Sequence, residues 1–79
     1  SGVAYPSGKA IFIECKTATG KPTLQQCVFL LAMLAAGANA GIARSSEEAL
    51  AICEMTDDLR QKMGEYIHGW LVKLRQRGK

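Results

Sequence analysis

Apolar and polar positions change period several times along the chain, and each change marks an element. Four apolar residues run without a break from Ala10 to Ile13, which predicts an interior strand covered on both faces. A shorter β-prone run, "VAY", precedes it across "PSGK", where Pro6 and Gly8 signal the turn of a hairpin. The polar stretch "TATGKP" (17–22), broken by Gly20 and Pro22, predicts a loop. Thr23 then offers an N-cap hydroxyl and Gln26 completes a T-x-x-Q capping box. A helix therefore begins there, runs to about Ala36, and ends at Gly37 as its C′ residue. That helix is apolar almost all the way round. A sheet alone cannot cover it, so a second helix or a second subunit must.

The run "NAGIAR" (39–44) has the length of a short strand, returning parallel to the first through a right-handed crossover. Ser45 and Glu48 make a second capping box, opening a short helix over "EEALAIC". Thr56 caps a third, whose first turn carries Asp57 and Asp58 at the positive end of the helix dipole. Within it Leu59, Met63, Tyr66, Ile67, Trp70, Leu71 and Leu74 recur at three- and four-residue steps, an amphipathic face over 57–77. The order is strand, strand, helix, strand, helix, helix: a small α/β layer forming one domain over 1–79.

Composition narrows the class. With 79 residues, 48% of them hydrophobic and 22% charged, the chain is globular and just large enough to bury a core. Its longest apolar stretch (27–36) is half of the roughly 20 residues a membrane span needs, and its first residues do not read as a signal peptide. A soluble protein follows. Cys15, Cys27 and Cys53 lie in apolar stretches without C-x-x-C spacing, which predicts core packing, neither a disulfide framework nor a zinc site, and a reducing cytosol. His68 reads as an ordinary helix residue, and Met33, Met55, Met63 and Trp70 as packing residues. The net charge of +3 is uneven: residues 1–44 carry Lys9, Lys16, Lys21 and Arg44 against Glu14 alone, whereas 45–79 balance. The excess cation favours an anionic partner in the first half. The basic tail, "KLRQRGK", suits a helix C-terminus and can also touch phosphate.

Glu14 and Lys16 stand at i and i+2, on one face at the end of the apolar strand. A carboxylate at a strand end is a hard oxygen ligand for Mg²⁺ or Mn²⁺, and the intervening Cys15 offers a backbone carbonyl oxygen of the same kind. A lysine two residues on can orient water or offset charge on a phosphate. Gln26, in the first turn of the next helix, can add a neutral polar contact. The plainer alternative is an edge ion pair, worth about 0–1 kcal/mol if exposed, with Gln26 acting only as a cap.

Taken together, "GKAIFIECKTATGKPTLQQ" and "GIARSSEEALAIC" resemble the virus-type replication-repair nuclease (VRR-NUC) domain of the PD-(D/E)xK superfamily. The resemblance covers about residues 8–53. It rests on Ile13, Glu14 and Lys16 as I-E-x-K, Gly20 in the loop, Thr23 with Gln26 at the helix start, Arg44 with Ser45, and Glu47 through Leu50 as E-E-A-L. It implies a restriction-endonuclease-like core of hairpin, helix and strand followed by two helices. The implied activity is Mg²⁺- or Mn²⁺-dependent hydrolysis of phosphodiester bonds in branched replication or repair intermediates. The family includes the catalytic domain of the Fanconi-associated nuclease and small phage and bacterial proteins, often dimers, so the resemblance implies an intracellular homodimer. By resemblance Glu14 and the Cys15 carbonyl hold the metal, Lys16 activates water or stabilises charge, and Gln26 supports them; Lys9, Lys21 and Arg44 become candidate DNA contacts.

The family also carries an aspartate on the preceding strand, at or just before the position of Gly2, and an upstream helix with a further acid together with a first strand, and none of these has a counterpart in this sequence. With Glu14 as the single site carboxylate, the chain as written is expected to bind Mg²⁺ weakly and cut little. A different function remains open: a non-catalytic nucleic-acid-binding module, dimerised through helices 24–36 and 57–75. Aromatics are few and not interleaved with the bases, which argues against single-strand stacking.

Overall fold

A computed structural model describes residues 2–4, as backbone, and residues 9–77. The elements are β1 (Gly2–Ala4), β2 (Ala10–Cys15), α1 (Leu24–Ala35), β3 (Asn39–Ala43), α2 (Ser46–Cys53) and α3 (Asp57–Arg77), in the expected order. They form a mixed sheet in the order β1-β2-β3. β1 pairs antiparallel with β2, Gly2 opposite Phe12, and β2 pairs parallel with β3, Cys15 opposite Ala43. The expected turn at 6–8 lies outside the described residues, as does the end of the basic tail.

Side-chain alternation along β3 builds a core on each face of the sheet. Ala40 and Ile42 join Cys27, Leu30 and Leu34 of α1 and Ile67 and Leu71 of α3. Ala43 joins Ile11 of β2 and Ile52 of α2 on the other face, where Met63 packs against both clusters. Every residue of β3 is buried, whereas in β2 only Ile11 is. The strand covered on both faces is therefore β3, not β2, because α2 lies over the β3 side of the sheet.

Two further expectations change. Cys15 does not pack in the core: it is exposed, because the cover supplied by Ile52 and Ala49 reaches Ile11 and Ile13 but not the strand end. Cys27 is fully buried, and burial raises its thiol pKa. An alkylating reagent at neutral pH should therefore modify Cys15 first and Cys27 only on unfolding, an order that mass spectrometry of the labelled protein would reveal. α1 is only half covered. α3 supplies the second layer, but Leu24, Val28 and Phe29 keep 41%, 50% and 46% of their surface exposed.

The local start and stop signals act through specific bonds. Thr23 Oγ1 accepts from the Gln26 amide at 3.1 Å, and the Thr23 amide donates to Gln26 Oε1 at 2.9 Å. Ser45 and Thr56 cap α2 and α3 through the amides of Glu48 and Leu59. The second capping box is displaced, however: Glu48 Oε1 accepts from the amide of Arg44 at 2.7 Å, one residue before the cap. At the end of α1, Gly37 takes φ +93°, a conformation side chains resist. The Ala38 and Gly37 amides then turn back to Met33 O and Leu34 O in a Schellman arrangement. No described helix is long and apolar enough to cross a membrane.

α1 has no basic residue in its last turn. Arg60 of α3 fills that role from outside, with Nη1 donating to Leu34 O at 3.0 Å and Ala38 O at 2.8 Å. A cation there also meets the negative end of the helix dipole. Arg60→Ala is expected to destabilise the fold by about 1–2 kcal/mol, since a charged hydrogen-bonding group is lost from a partly buried site. A urea titration would show it, and an unchanged midpoint would refute it.

Candidate functional site

The C-terminal end of β2 and the first turn of α1 meet across the 16–22 loop. Glu14 lies on the same face of β2 as Phe12, and the capping box holds Gln26 at the helix start directly over it. Gln26 Nε2 donates to Glu14 Oε1 at 2.9 Å, while Gln26 Oε1 accepts from the Thr23 amide. This double use fixes the orientation of the Gln26 amide, because only its nitrogen can donate to a carboxylate. The cap and the carboxylate contact are thus one device, where the sequence left them as alternatives.

Lys16 Nζ stands 3.9 Å from the same Glu14 oxygen, with its side chain 19% exposed against 30% for Glu14. That separation exceeds hydrogen-bonding distance, so the two are electrostatic neighbours and not a closed ion pair. Both contacts fall on Oε1, and no described residue bonds Oε2. The Lys16 amide donates to Ala43 O at 2.9 Å. In a parallel ladder this leaves the carbonyl of Cys15 turned away from β3. A cleft of about 400 Å³ opens beside the carboxylate, walled by Phe12, Gln25, Gln26 and Phe29. Phe12 and Phe29 meet edge to face at 5.3 Å and stiffen that wall.

The remaining candidates are scattered. Lys9 sits at the opposite end of β2, about 17 Å of strand from Glu14. Lys21 is exposed on the loop and borders a second cleft against Trp70, Lys73 and Arg77 of α3. Arg44 does not offer an open guanidinium for phosphate. Its Nη1 donates to Thr17 O at 2.7 Å and Gly20 O at 2.6 Å, and its Nε and Nη2 donate to Tyr66 Oη at 3.2 and 2.9 Å. Arg44 is a clamp that fastens the loop to α3. Tyr66, assigned by its spacing to the packed face, is 43% exposed and serves as the other jaw. Neither Tyr66 nor Phe29 was identified as a site neighbour from the sequence. Phe12 was within reach, since it lies two residues before Glu14 and must share its face.

The donors present suit a hard divalent ion in kind: one carboxylate, one outward carbonyl oxygen and an aqueous cleft. They fall short in number. No group of three His, Cys, Asp or Glu side chains stands together among the described residues. The side of Glu14 facing β1 is where a second carboxylate could be added. In the observed register, position 2 lies diagonally across from Glu14 on the same face of the sheet.

Compared with protein-family models, curated proteins and solved structures, the chain has no match.

Proposed function

We propose that this domain supplies the glutamate–lysine half of a phosphodiester-hydrolysing site acting on DNA, with a PD-(D/E)xK-type nuclease core. The observation that carries the reading is the Glu14 carboxylate, oriented by Gln26 through Oε1, with Oε2 open and Lys16 unbonded at 3.9 Å. An edge pair between Glu14 and Lys16 alone would not need a capping side chain aimed at its carboxylate.

In this reading Glu14 and the Cys15 carbonyl would hold Mg²⁺ or Mn²⁺ only together with a second carboxylate, which the described residues do not supply. When bound, the ion supplies Lewis-acid polarisation of a phosphate oxygen. Gln26 holds Glu14 in one rotamer by donating to it. Lys16, partly sheltered from water, presents a positive charge where negative charge grows on the phosphate during attack. The walls from Phe12 and Phe29 exclude water from one side of the cleft. DNA is the proposed substrate and a homodimer the proposed assembly, with the exposed Leu24, Val28 and Phe29 stripe supporting the latter.

The test is cleavage of branched and linear DNA with Mn²⁺ by four proteins: this chain, Gly2→Asp, Gly2→Asp with Lys16→Ala, and a version extended at its N-terminus with an aspartate. Little cutting is expected from the chain as it stands. Cutting should appear when a second carboxylate is supplied and fall about a hundredfold with Lys16→Ala. The shortage of carboxylates favours one other reading, a non-catalytic nucleic-acid-binding module. DNA binding without cutting in all four versions would establish it and remove the catalytic one.

A further inference from the structure

The second cleft, about 470 Å³ between the loop and the last turns of α3, is lined by Lys21, Trp70, Lys73, Leu74, Gln76 and Arg77. Three cations face it and no acid does. None of the three is in a salt bridge or a side-chain hydrogen bond with another described residue. The dipole of α3 accounts for bases in its final turn, Arg75 and Arg77. It does not account for Lys21, which arrives from a loop more than fifty residues earlier in the sequence. Nor does it account for the indole, which the fold sets among three bases although the sequence, with few aromatics not interleaved with the bases, argued against single-strand stacking. Trp70 rests partly buried against the core, and Lys73 Nζ lies over its ring at 5.3 Å from the centroid, so a base stacking there takes the ammonium's place as Lys73 turns to a phosphate.

We propose that this cleft is a nucleic-acid contact surface, in which Lys21, Lys73 and Arg77 hold phosphates and Trp70 presents its ring face to a base. Cations alone would suit any polyanion. A flat aromatic face set among them suits a strand that carries both phosphates and bases, whereas the carboxylate side chains of an acidic peptide carry no ring to stack on it. The loop gives the surface a direction. Lys21 and Lys16 are five residues apart, so at most about 18 Å separates the cleft's edge from the Glu14 site. Arg44 holds the intervening carbonyls of Thr17 and Gly20 in place. A strand seated on Trp70 is thereby led past Lys21 toward Lys16. The choice of this path rests on the proposed phosphodiesterase site; the contact surface itself does not.

Trp70 is the single tryptophan, so its emission reports the cleft directly. The experiment titrates the chain with a thymidine oligonucleotide at several salt concentrations, following Trp70 emission together with the anisotropy of the labelled oligonucleotide. Quenching is expected, with affinity falling as salt rises. Lys73→Ala with Arg77→Ala should weaken binding about tenfold and reduce the salt slope by about 1.4. Both residues are exposed, so unchanged melting would show that the variant remains folded. Three results would each overturn the proposal: no binding, binding with silent Trp70 emission, or parental affinity in the double variant. Equal quenching by polyglutamate would also overturn it, in favour of an acidic protein partner. Glu14→Gln separates this surface from the catalytic reading. Quenching that persists there, without cleavage by the aspartate-bearing versions, removes catalysis alone. Cleavage with silent Trp70 emission removes the cleft alone.

Discussion

Gly41→Val is expected to destabilise the domain by about 3 kcal/mol, close to the limit a chain of this size tolerates. A Cβ at Gly41 would stand 2.7 Å from Met63 Cε, 3.0 Å from Met63 Cγ and 3.0 Å from Ile52 Cδ1. The methyl end of Met63 can swing aside. Its Cγ can move only by a change of χ1 and Ile52 Cδ1 only by turning χ2 inside a fully buried site, so both shifts run into packed neighbours. Both helices are pressed onto β3 at this one position, so the glycine sets how closely they approach. Valine adds two methyl groups beyond the Cβ and has few rotamers with which to avoid the neighbours. Gly41→Ala should cost about 1–2 kcal/mol, because its overlap is partly offset by lower unfolded-state entropy. Thermal melting is the direct measurement: a loss of roughly 10–20 °C is expected for valine. Met63→Ala placed beside Gly41→Ala should recover part of the alanine loss. A valine variant that melts with the parent would show that α2 and α3 do not meet across β3 as described.

Arg44→Ala is expected to cost about 2–3 kcal/mol and to release the 17–20 loop. Four donor contacts disappear at once; the Gly20 carbonyl loses its partner, while that of Thr17 keeps only the Gly20 amide at 3.1 Å. Arg44→Lys should not restore stability, because one ammonium cannot reach two loop carbonyls and a phenol on opposite sides. Tyr66→Phe removes only one jaw and should cost about 1 kcal/mol. Limited trypsin digestion reads the loop separately from global stability. The Lys16–Thr17 bond should become a fast cleavage site in Arg44→Ala, whereas Pro22 protects the bond after Lys21. If digestion at Lys16 is equally slow in both proteins, Arg44 does not hold the loop.

These positions show which parts of the architecture were readable in advance. Thr23, Ser45, Thr56 and Gly37 act within three or four residues of themselves, so their roles were visible in the local pattern. Half of the candidate site was visible for the same reason: Glu14 ends a strand, Gln26 starts a helix, and a short loop joins them. Arg44 and Arg60 bond to carbonyls more than twenty residues away, and no local pattern distinguishes such an arginine from one facing solvent or phosphate. The strand covered on both faces was misassigned because hydrophobicity favours "AIFI" over "NAGIA". Burial followed the placement of α2, and β3 fits beneath it through small residues at Gly41 and Ala43, while Ala40 turns to α1 and α3.

The burial of β3 has a consequence for how the molecule breathes. All five of its residues are shielded, between two helices on one face of the sheet and a third on the other. Its amides bonded to β2 have no route to solvent short of dismantling both cores. In heavy water they should exchange last and at the rate of complete unfolding, so that the slowest deuterons give the free energy of the whole domain. The 17–20 backbone, fastened from outside by one side chain, should exchange through small openings that leave β3 untouched. Ligand-responsive motion is expected in the loop between Lys16 and Lys21, while β3 stays closed.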